Sequence, residues 1–204
     1  ALITGATRGI GFGLAGGLAQ AGAHVIINGR DEAKLADAAA RLHAAGVSAD
    51  TLCFDVRDHQ AVAQAIDGYE AEQGGIDVLI NNAGIQHRQS LEDFAPENFQ
   101  EVMDTNATAL FYIGQAVARH MKQRGQGKII NIASIMTKMA RHHVGAYITA
   151  KAAVGGLTRA MTSEWAGYGI NCNAIGPGYI STELTQPLFE DKTFSDWLTG
   201  STPA

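Results

Sequence analysis

"TGATRGIGFGLAGG", Thr4 to Gly17, allows two readings of its glycines. One is Gly5-x-x-x-Gly9-x-Gly11. The other is Gly11-x-Gly13-x-x-Gly16, which matches the widespread G-x-G-x-x-G fingerprint letter for letter. The segment ahead of it, "ALIT", is apolar and strand-like. A chain leaving such a strand for a helix must turn sharply, and Gly5 can take the positive φ this needs without a Cβ penalty. Gly9 and Gly11 then flank the helix start, where unpaired backbone N–H groups and the helix dipole favour a phosphate. The second set would begin inside the helix, so its match is a coincidence of pattern. Gly13 and Gly17, four apart on one face, are expected instead to let the helix pack closely on a strand, each at up to about 1 kcal/mol relative to Ala. The phosphate-loop candidates are therefore Gly5, Thr7, Arg8, Gly9, Ile10 and Gly11.

Working outward, the same strand–helix unit recurs. "HVIING", "DTLCFDV", "DVLINNA", "KIINIAS" and "INCNAIGPG" read as further strands. Between them, Asp31 to Ala45 puts Leu35, Ala38, Ala39 and Leu42 on one face, and His59 to Glu72 groups Val62, Ile66 and Tyr69. Helices are also expected from about Pro96 to Arg124 and from about Gly145 to Tyr168. Near-continuous apolar strands alternating with helices predict an α/β fold, a Rossmann-like doubly wound parallel sheet with helices on both faces. No linker, charge block or repeat divides residues 1–204, so a single dinucleotide-binding catalytic domain is expected.

Composition bounds the partners. A net charge of −5 gives no reason to expect nucleic acid. No apolar stretch approaches the roughly 20 residues of a membrane span, so no membrane partner is expected. Cys53 and Cys172 sit in apolar runs and read as buried thiols of a reducing, cytoplasmic compartment. The chain opens inside a strand and stops at "STPA" with no terminating element, which suggests that both ends are truncated.

The end of the second strand tests which nucleotide would fit. A fold that binds NAD usually places an acidic residue there for the ribose 2′-hydroxyl. Here the run is "IINGRDE": Gly29 holds that position and Arg30 follows. With Arg8 in the glycine loop, two guanidiniums favour a 2′-phosphate and hence NADP. Asp31 and Glu32 fit the negatively charged first turn of a helix.

The candidate chemistry lies further on. "YITAK" sets Tyr147 and Lys151 four apart on one helical face. An ammonium near a phenol favours the phenolate, so the pair can exchange a proton near neutral pH. Ser134 ends the strand "INIAS" at the carboxyl edge, where open α/β sheets bind ligands; its hydroxyl can hydrogen-bond a carbonyl oxygen that gains charge. Asn106 lies mid-helix in "MDTNATALF", an unfavourable place for Asn unless it faces solvent or has a task.

Taken together, "TGATRGIG", "DV" at Asp55–Val56, "NNAG" at Asn81–Gly84, Asn106, Ser134, "YITAK" and "PGYIST" at Pro177–Thr182 resemble the short-chain dehydrogenase/reductase family over essentially the whole chain. The resemblance implies a catalytic tetrad of Asn106, Ser134, Tyr147 and Lys151. Tyr147 would be the acid/base and Ser134 the carbonyl binder. Lys151 would lower the Tyr147 pKa and hold the nicotinamide ribose. Asn106 would position a proton-relaying water. It further implies that Asp55 and Val56 contact adenine and that Asn82, Ala83 and Gly84 line the cofactor cleft. Pro177 and Gly178 would also belong to the cofactor site, Ile180 would meet the carboxamide through its backbone and Thr182 would lie near the phosphates. A homotetramer is implied as well.

Within the family, "NNAGIQHR" (Asn81–Arg88), "LEDF" (Leu91–Phe94), "GKIINIAS" (Gly127–Ser134) and "IGPGYISTEL" (Ile175–Leu184) resemble the gluconate 5-dehydrogenase branch. The implied substrate is a small carbonyl or alcohol, favoured as a sugar acid. Its carboxylate needs a cation, and Arg88, on the loop after "NNAG", is the first candidate beside Ser134 and Tyr147; Arg141 competes with it. No metal is implied: His142 and His143 are adjacent and no cysteine or carboxylate cluster accompanies them. A 3-oxoacyl carrier-protein reductase and a catalytically silent NADP sensor are the alternative readings.

Overall fold

The computed structural model describes residues 1–182 and 185–201. Six parallel strands form one sheet in the order β3-β2-β1-β4-β5-β6. They are β1 (Leu2–Ile3), β2 (Val25–Gly29), β3 (Ala49–Cys53), β4 (Val78–Asn81), β5 (Gly127–Ile132) and β6 (Ile170–Ile175). The order reverses between β1 and β4, so loops leaving those strands part in opposite directions and open a crevice at the carboxyl edge. Every sequence-predicted strand is present.

Register explains the two-faced core. Leu2 pairs with Ile26 and Leu79, and Leu79 with Ile129. These side chains point one way, into a cluster with Val62, Ile66, Ile113, Val117 and Met161. Their neighbours Ile3, Ile27 and Ile80 point the other way, onto Ala15, Leu35, Ala38 and Leu42. Successive strand residues must alternate in this manner, which is why the apolar runs are continuous. Each fully buried Leu or Ile contributes about 1.5–3 kcal/mol.

Helices α1 (Gly9–Gln20) and α2 (Glu32–Ala44) cover one face; α3 (His59–Glu72), α5 (Ala109–Arg124) and α6 (Gly145–Trp165) cover the other. Asp31 caps α2 by accepting from Lys34 N at 3.0 Å, and Asp58 caps α3 through Gln60 N and Ala61 N. The helix expected from Pro96 to Arg124 is continuous but not uniform: α4 (Pro96–Met103) passes into a wider π turn at Asp104–Thr108 before α5. Two short helices, α7 (Gln186–Glu190) and α8 (Lys192–Ser201), follow the last strand.

Two expectations change. Both cysteines lie on edge strands, but only Cys172 is buried as expected, packed in the core cluster with Met161 of α6; Cys53, the last residue of β3, is exposed. Gly13 and Gly17 do not pack on a strand; a Cβ at either would meet nothing within 4 Å. The buried line of α1 runs through Gly11 and Ala15 instead. Among the described residues, no helix is long and apolar enough to cross a membrane.

Candidate active site

The glycine turn lies between β1 and α1, with Gly5 at φ 61° and Gly9 at φ 58°. A Cβ on Gly11 would sit 2.4 Å from Asn82 Nδ2 and 2.6 Å from the Gly5 carbonyl oxygen. Gly5, Gly9 and Gly11 are thus the set whose backbone the turn requires, and the letter-perfect second motif is a coincidence. Asn82 braces the turn from β4, donating to the Thr4 and Gly5 carbonyls at 2.9 and 3.1 Å. Thr4 Oγ1 in return accepts from Asn82 N and Ala83 N. Buried Asn28 adds a third support: its amide donates to the Leu52 and Phe54 carbonyls and accepts from Gly5 N. The sequence reading missed Thr4 and Asn28; Asn in an otherwise apolar strand was the available signal.

The adenosine end carries an ionic cluster. Gly29 lies so close to the turn that a Cβ there would be 2.6 Å from Thr7 Cγ2, which disfavours an acidic side chain at that position. Arg30 is 62% exposed and 3.9 Å from Asp55. Asp55 is held mainly by Arg57, which was not singled out from the sequence: Arg57 Nη2 donates to it at 2.7 Å and Arg57 N at 2.9 Å. The Arg57 guanidinium keeps the Asp55 carboxyl below the usual carboxylate range despite opposing desolvation. Val56 is buried in the core beside it. Across the turn, the position of a Cβ on Gly9 is 3.8 Å from Thr182 Cβ, so Thr182 lies against the glycine loop. Ile180 has an exposed side chain, and its carbonyl accepts from Thr185 Oγ1. Glu183 and Leu184, part of the quoted "IGPGYISTEL", lie outside the described residues, as do residues 202–204.

The four catalytic candidates come from three elements. Ser134 ends the stretch after β5; its Oγ accepts from Met136 N at 3.2 Å and its hydroxyl interacts with the Tyr147 phenol. Tyr147 and Lys151 lie on the first turns of α6, with Lys151 Nζ 5.7 Å from the phenol ring centre. Lys151 is 3% exposed and donates to the Ile132 carbonyl at 2.5 Å. Burial lowers its pKa to about 8. The expected lowering of the Tyr147 pKa is not what the protein alone produces. Burial pushes the phenol up, the Ser134 hydroxyl pulls it down, and Tyr179 pushes it up further, with a net rise. The ammonium is directed at the Ile132 carbonyl, and the desolvated phenol stays neutral as a proton donor.

Asn106 sits in the π turn and is fully buried, not solvent-facing. Its Oδ1 accepts from Ile85 N at 2.7 Å and its Nδ2 donates to Ile85 O at 2.8 Å. The side chain therefore pins the loop after β4 to the helix, and the interrupted helical ladder is what lets it face that loop. Gly84 lies below it, with room for a Cβ only 3.3 Å from Asn106 Oδ1.

Ser134 and Tyr147 open into one cavity of about 390 Å³, lined also by His87, Arg88, Arg141 and Tyr179. Gln89 N donates to the His143 carbonyl at 3.1 Å, which ties the loop after β4 to the loop before α6. Both cationic candidates therefore reach the cavity, but they differ. Arg141 donates to Tyr179 OH at 2.9 Å and stacks on the Phe194 ring at 4.4 Å, so it holds α8 in place. Arg88 makes no hydrogen bond or ion pair to any described residue.

A glycine turn at a helix N-terminus, at the sheet's switch point, with a half-buried tyrosine, a buried lysine and a serine at the same edge, defines a nucleotide-dependent oxidoreductase site. Residues 1–193 match the family model for short chain dehydrogenases, and the chain belongs to that family. Among its relatives, gluconate 5-dehydrogenase of Gluconobacter oxydans is 47% identical over 204 residues, covering 100% of this chain and 80% of that protein. The 5-keto-D-gluconate 5-reductase of Escherichia coli K12 is 42% identical over 203 residues, with the same coverage. A crystal structure of a gluconate 5-dehydrogenase from Burkholderia cenocepacia, in complex with NADP and tartrate, superposes with a TM-score of 0.95 at 50% identity, again covering 100% of this chain and 80% of the other.

Proposed function

We propose that the protein is an NADP-dependent enzyme that interconverts a ketone and a secondary alcohol on a sugar acid, with 5-ketogluconate and gluconate the favoured pair. The observation that carries this reading is a single cavity into which a serine hydroxyl, a neutral, half-buried phenol and an arginine bound to no described residue all open. Its volume suits a six-carbon acid. The gluconate-active relatives support the substrate class, as does the gluconate 5-dehydrogenase whose crystal structure is a complex with NADP and tartrate.

The residues present fit the cofactor. Gly5, Gly9 and Gly11 keep the turn clear of side chains where a pyrophosphate must approach the helix N-terminus. Arg30 and Arg8 would hold the 2′-phosphate, Thr182 the phosphates, and Lys151 the ribose. Bound NADPH supplies the hydride for reduction, and the protein's own groups manage the charge that develops. The Ser134 hydroxyl donates to the substrate carbonyl oxygen, and the Tyr147 O–H transfers its proton to that oxygen as it becomes an alkoxide. The Lys151 ammonium then stabilises the phenolate left behind, and Asn106 keeps the loop that frames the site from moving. Arg88 would hold the carboxylate.

A homotetramer, supported by the family resemblance alone, and a cytoplasmic location, supported by the two free thiols, are part of the same reading. The test is turnover of a panel of keto-acids and neutral ketones with NADPH and NADH, followed by nicotinamide absorbance. Activity on 5-ketogluconate is expected, and Tyr147→Phe should lower it by about 10² or more without loss of cofactor binding. A wild-type enzyme that reduces neutral ketones or carrier-linked oxoacyl groups but no keto-sugar acid would refute the substrate assignment.

A further inference from the structure

Several polar side chains line the cavity that the chemistry above does not use, among them Gln86, His87, Tyr179 and Thr185. His87 lies next to Arg88. One side of its ring has a partner: His87 Nε2 lies 3.0 Å from Glu101 Oε2. The other oxygen of Glu101 accepts from Arg57 Nη1 at 3.3 Å. Arg57 is in turn clamped on Asp55 through Nε, Nη2 and its backbone N–H. A chain of alternating charge thus runs from the adenosine end of the site, over α4, to the substrate cavity.

This arrangement determines what His87 can offer. A carboxylate beside Nε2 keeps the proton on that nitrogen. Nδ1 is then the ring's remaining polar atom, an acceptor in the neutral ring and a donor in the charged one. A hydroxyl group can match either state, since it donates and accepts; a ketone or carboxylate can match only one. The ring has no part in proton transfer, which Tyr147 performs, and carboxylate binding falls to Arg88.

We infer that His87 is a specificity-determining residue that reads a hydroxyl group of the substrate, with Glu101 and Arg57 as the positioning residues that fix its ring. The inference rests on the sugar-acid reading above and deepens it. It explains how the site would favour a polyhydroxylated keto-acid over an apolar keto-acid of equal length and charge.

The experiment compares 5-ketogluconate with 5-oxohexanoate, which keeps the carboxylate and ketone and lacks the hydroxyls. Enzyme saturated with NADPH is assayed for KM and kcat on both, and calorimetry gives the Kd of D-gluconate for the NADPH complex. For His87→Leu, the rise in KM on 5-ketogluconate should exceed that on 5-oxohexanoate by several-fold to about tenfold, the scale of one neutral hydrogen bond. The Kd of gluconate should rise in parallel and kcat should change little. Glu101→Leu should show the same selectivity in weaker form, and Glu101→Gln, which retains an acceptor for Nε2–H, should restore most of it. Equal losses on both substrates, or none on 5-ketogluconate, would overturn the role of His87 while leaving the sugar-acid reading intact. A wild-type enzyme that neither turns over 5-ketogluconate nor binds gluconate would overturn both.

Discussion

Gly11 is shared by the two competing motifs and Gly13 belongs only to the second, and alanine at each gives opposite outcomes. At Gly11 the new Cβ would fall 2.4 Å from Asn82 Nδ2 and 2.6 Å from the Gly5 carbonyl. Neither atom can yield cheaply. Asn82 Nδ2 is engaged with the Thr4 and Gly5 carbonyls, and the Gly5 oxygen belongs to the turn itself. Overpacking of this kind costs about 1–3 kcal/mol, and loosening two neutral hydrogen bonds adds about 1 kcal/mol each. The gain in helix propensity offsets about 1 kcal/mol. The net loss is about 2–4 kcal/mol, or about 4–16 °C in Tm for a chain of this length. At Gly13 the Cβ meets nothing, so only the helical gain remains, about 1 kcal/mol or about 2–4 °C upward. Thermal melts of the two variants, with NADPH titrations followed by fluorescence, read both effects. Gly11→Ala should melt lower and bind NADPH more weakly; Gly13→Ala should melt higher and bind it normally. If Gly13→Ala weakens NADPH as much as Gly11→Ala does, the assignment of the phosphate turn is wrong.

Other outcomes follow from the same geometry. Arg30→Ala should weaken NADPH relative to NADH by about tenfold to a hundredfold, the scale of a charge-assisted hydrogen bond, with Arg8→Ala acting in the same direction; a wild type that prefers NADH would refute this. Arg88→Met should raise KM for a keto-acid by one to two orders more than for a neutral ketone of similar size, from a loss of roughly 1.5–3 kcal/mol. Arg141→Met, which also removes the contacts to Tyr179 and Phe194, should affect both substrates alike. Equal ratios for the two variants would show that Arg88 shapes the loop and does not hold the carboxylate. Lys151, with a folded pKa of about 8 against 10.5, sheds its proton in the folded state first. The unfolded chain therefore binds more protons between those values, so stability of the cofactor-free protein should rise with pH across that window, by on the order of 3 kcal/mol at most. Urea denaturation at about pH 7.5 and about pH 9.5 should show the rise in wild type and a smaller one in Lys151→Met; an unchanged slope would mean that Lys151 is not the group responsible.

Much of this protein was legible without coordinates, for identifiable reasons. Strand–helix alternation and the limits of α2 and α3 follow from local periodicity and from the capping side chains of Asp31 and Asp58, which act within three residues of themselves. Gly5, Gly9 and Gly11 could be selected over the stricter motif because a turn must follow a strand and cannot begin inside a helix. Tyr147 and Lys151 share a face by spacing alone. The structure decided what depends on strand order. Asn82 reaches back 78 residues to Thr4 only because β4 inserts beside β1. Cys53 is exposed and Cys172 buried although both lie on edge strands, because α6 packs over Cys172, and apolar sequence neighbours do not report that difference. Asn106 is buried because a π turn rotates it onto Ile85, and the loop that carries Ile85 comes from another strand. Arg88 and Arg141 come from different loops and reach one cavity; what separates them is that Arg141 is committed to Tyr179 and Phe194, and Arg88 to no described residue. The His87–Glu101–Arg57–Asp55 chain draws on three separate segments. Each pair is ordinary in sequence, and only the packing of α4 over the carboxyl edge makes them one network.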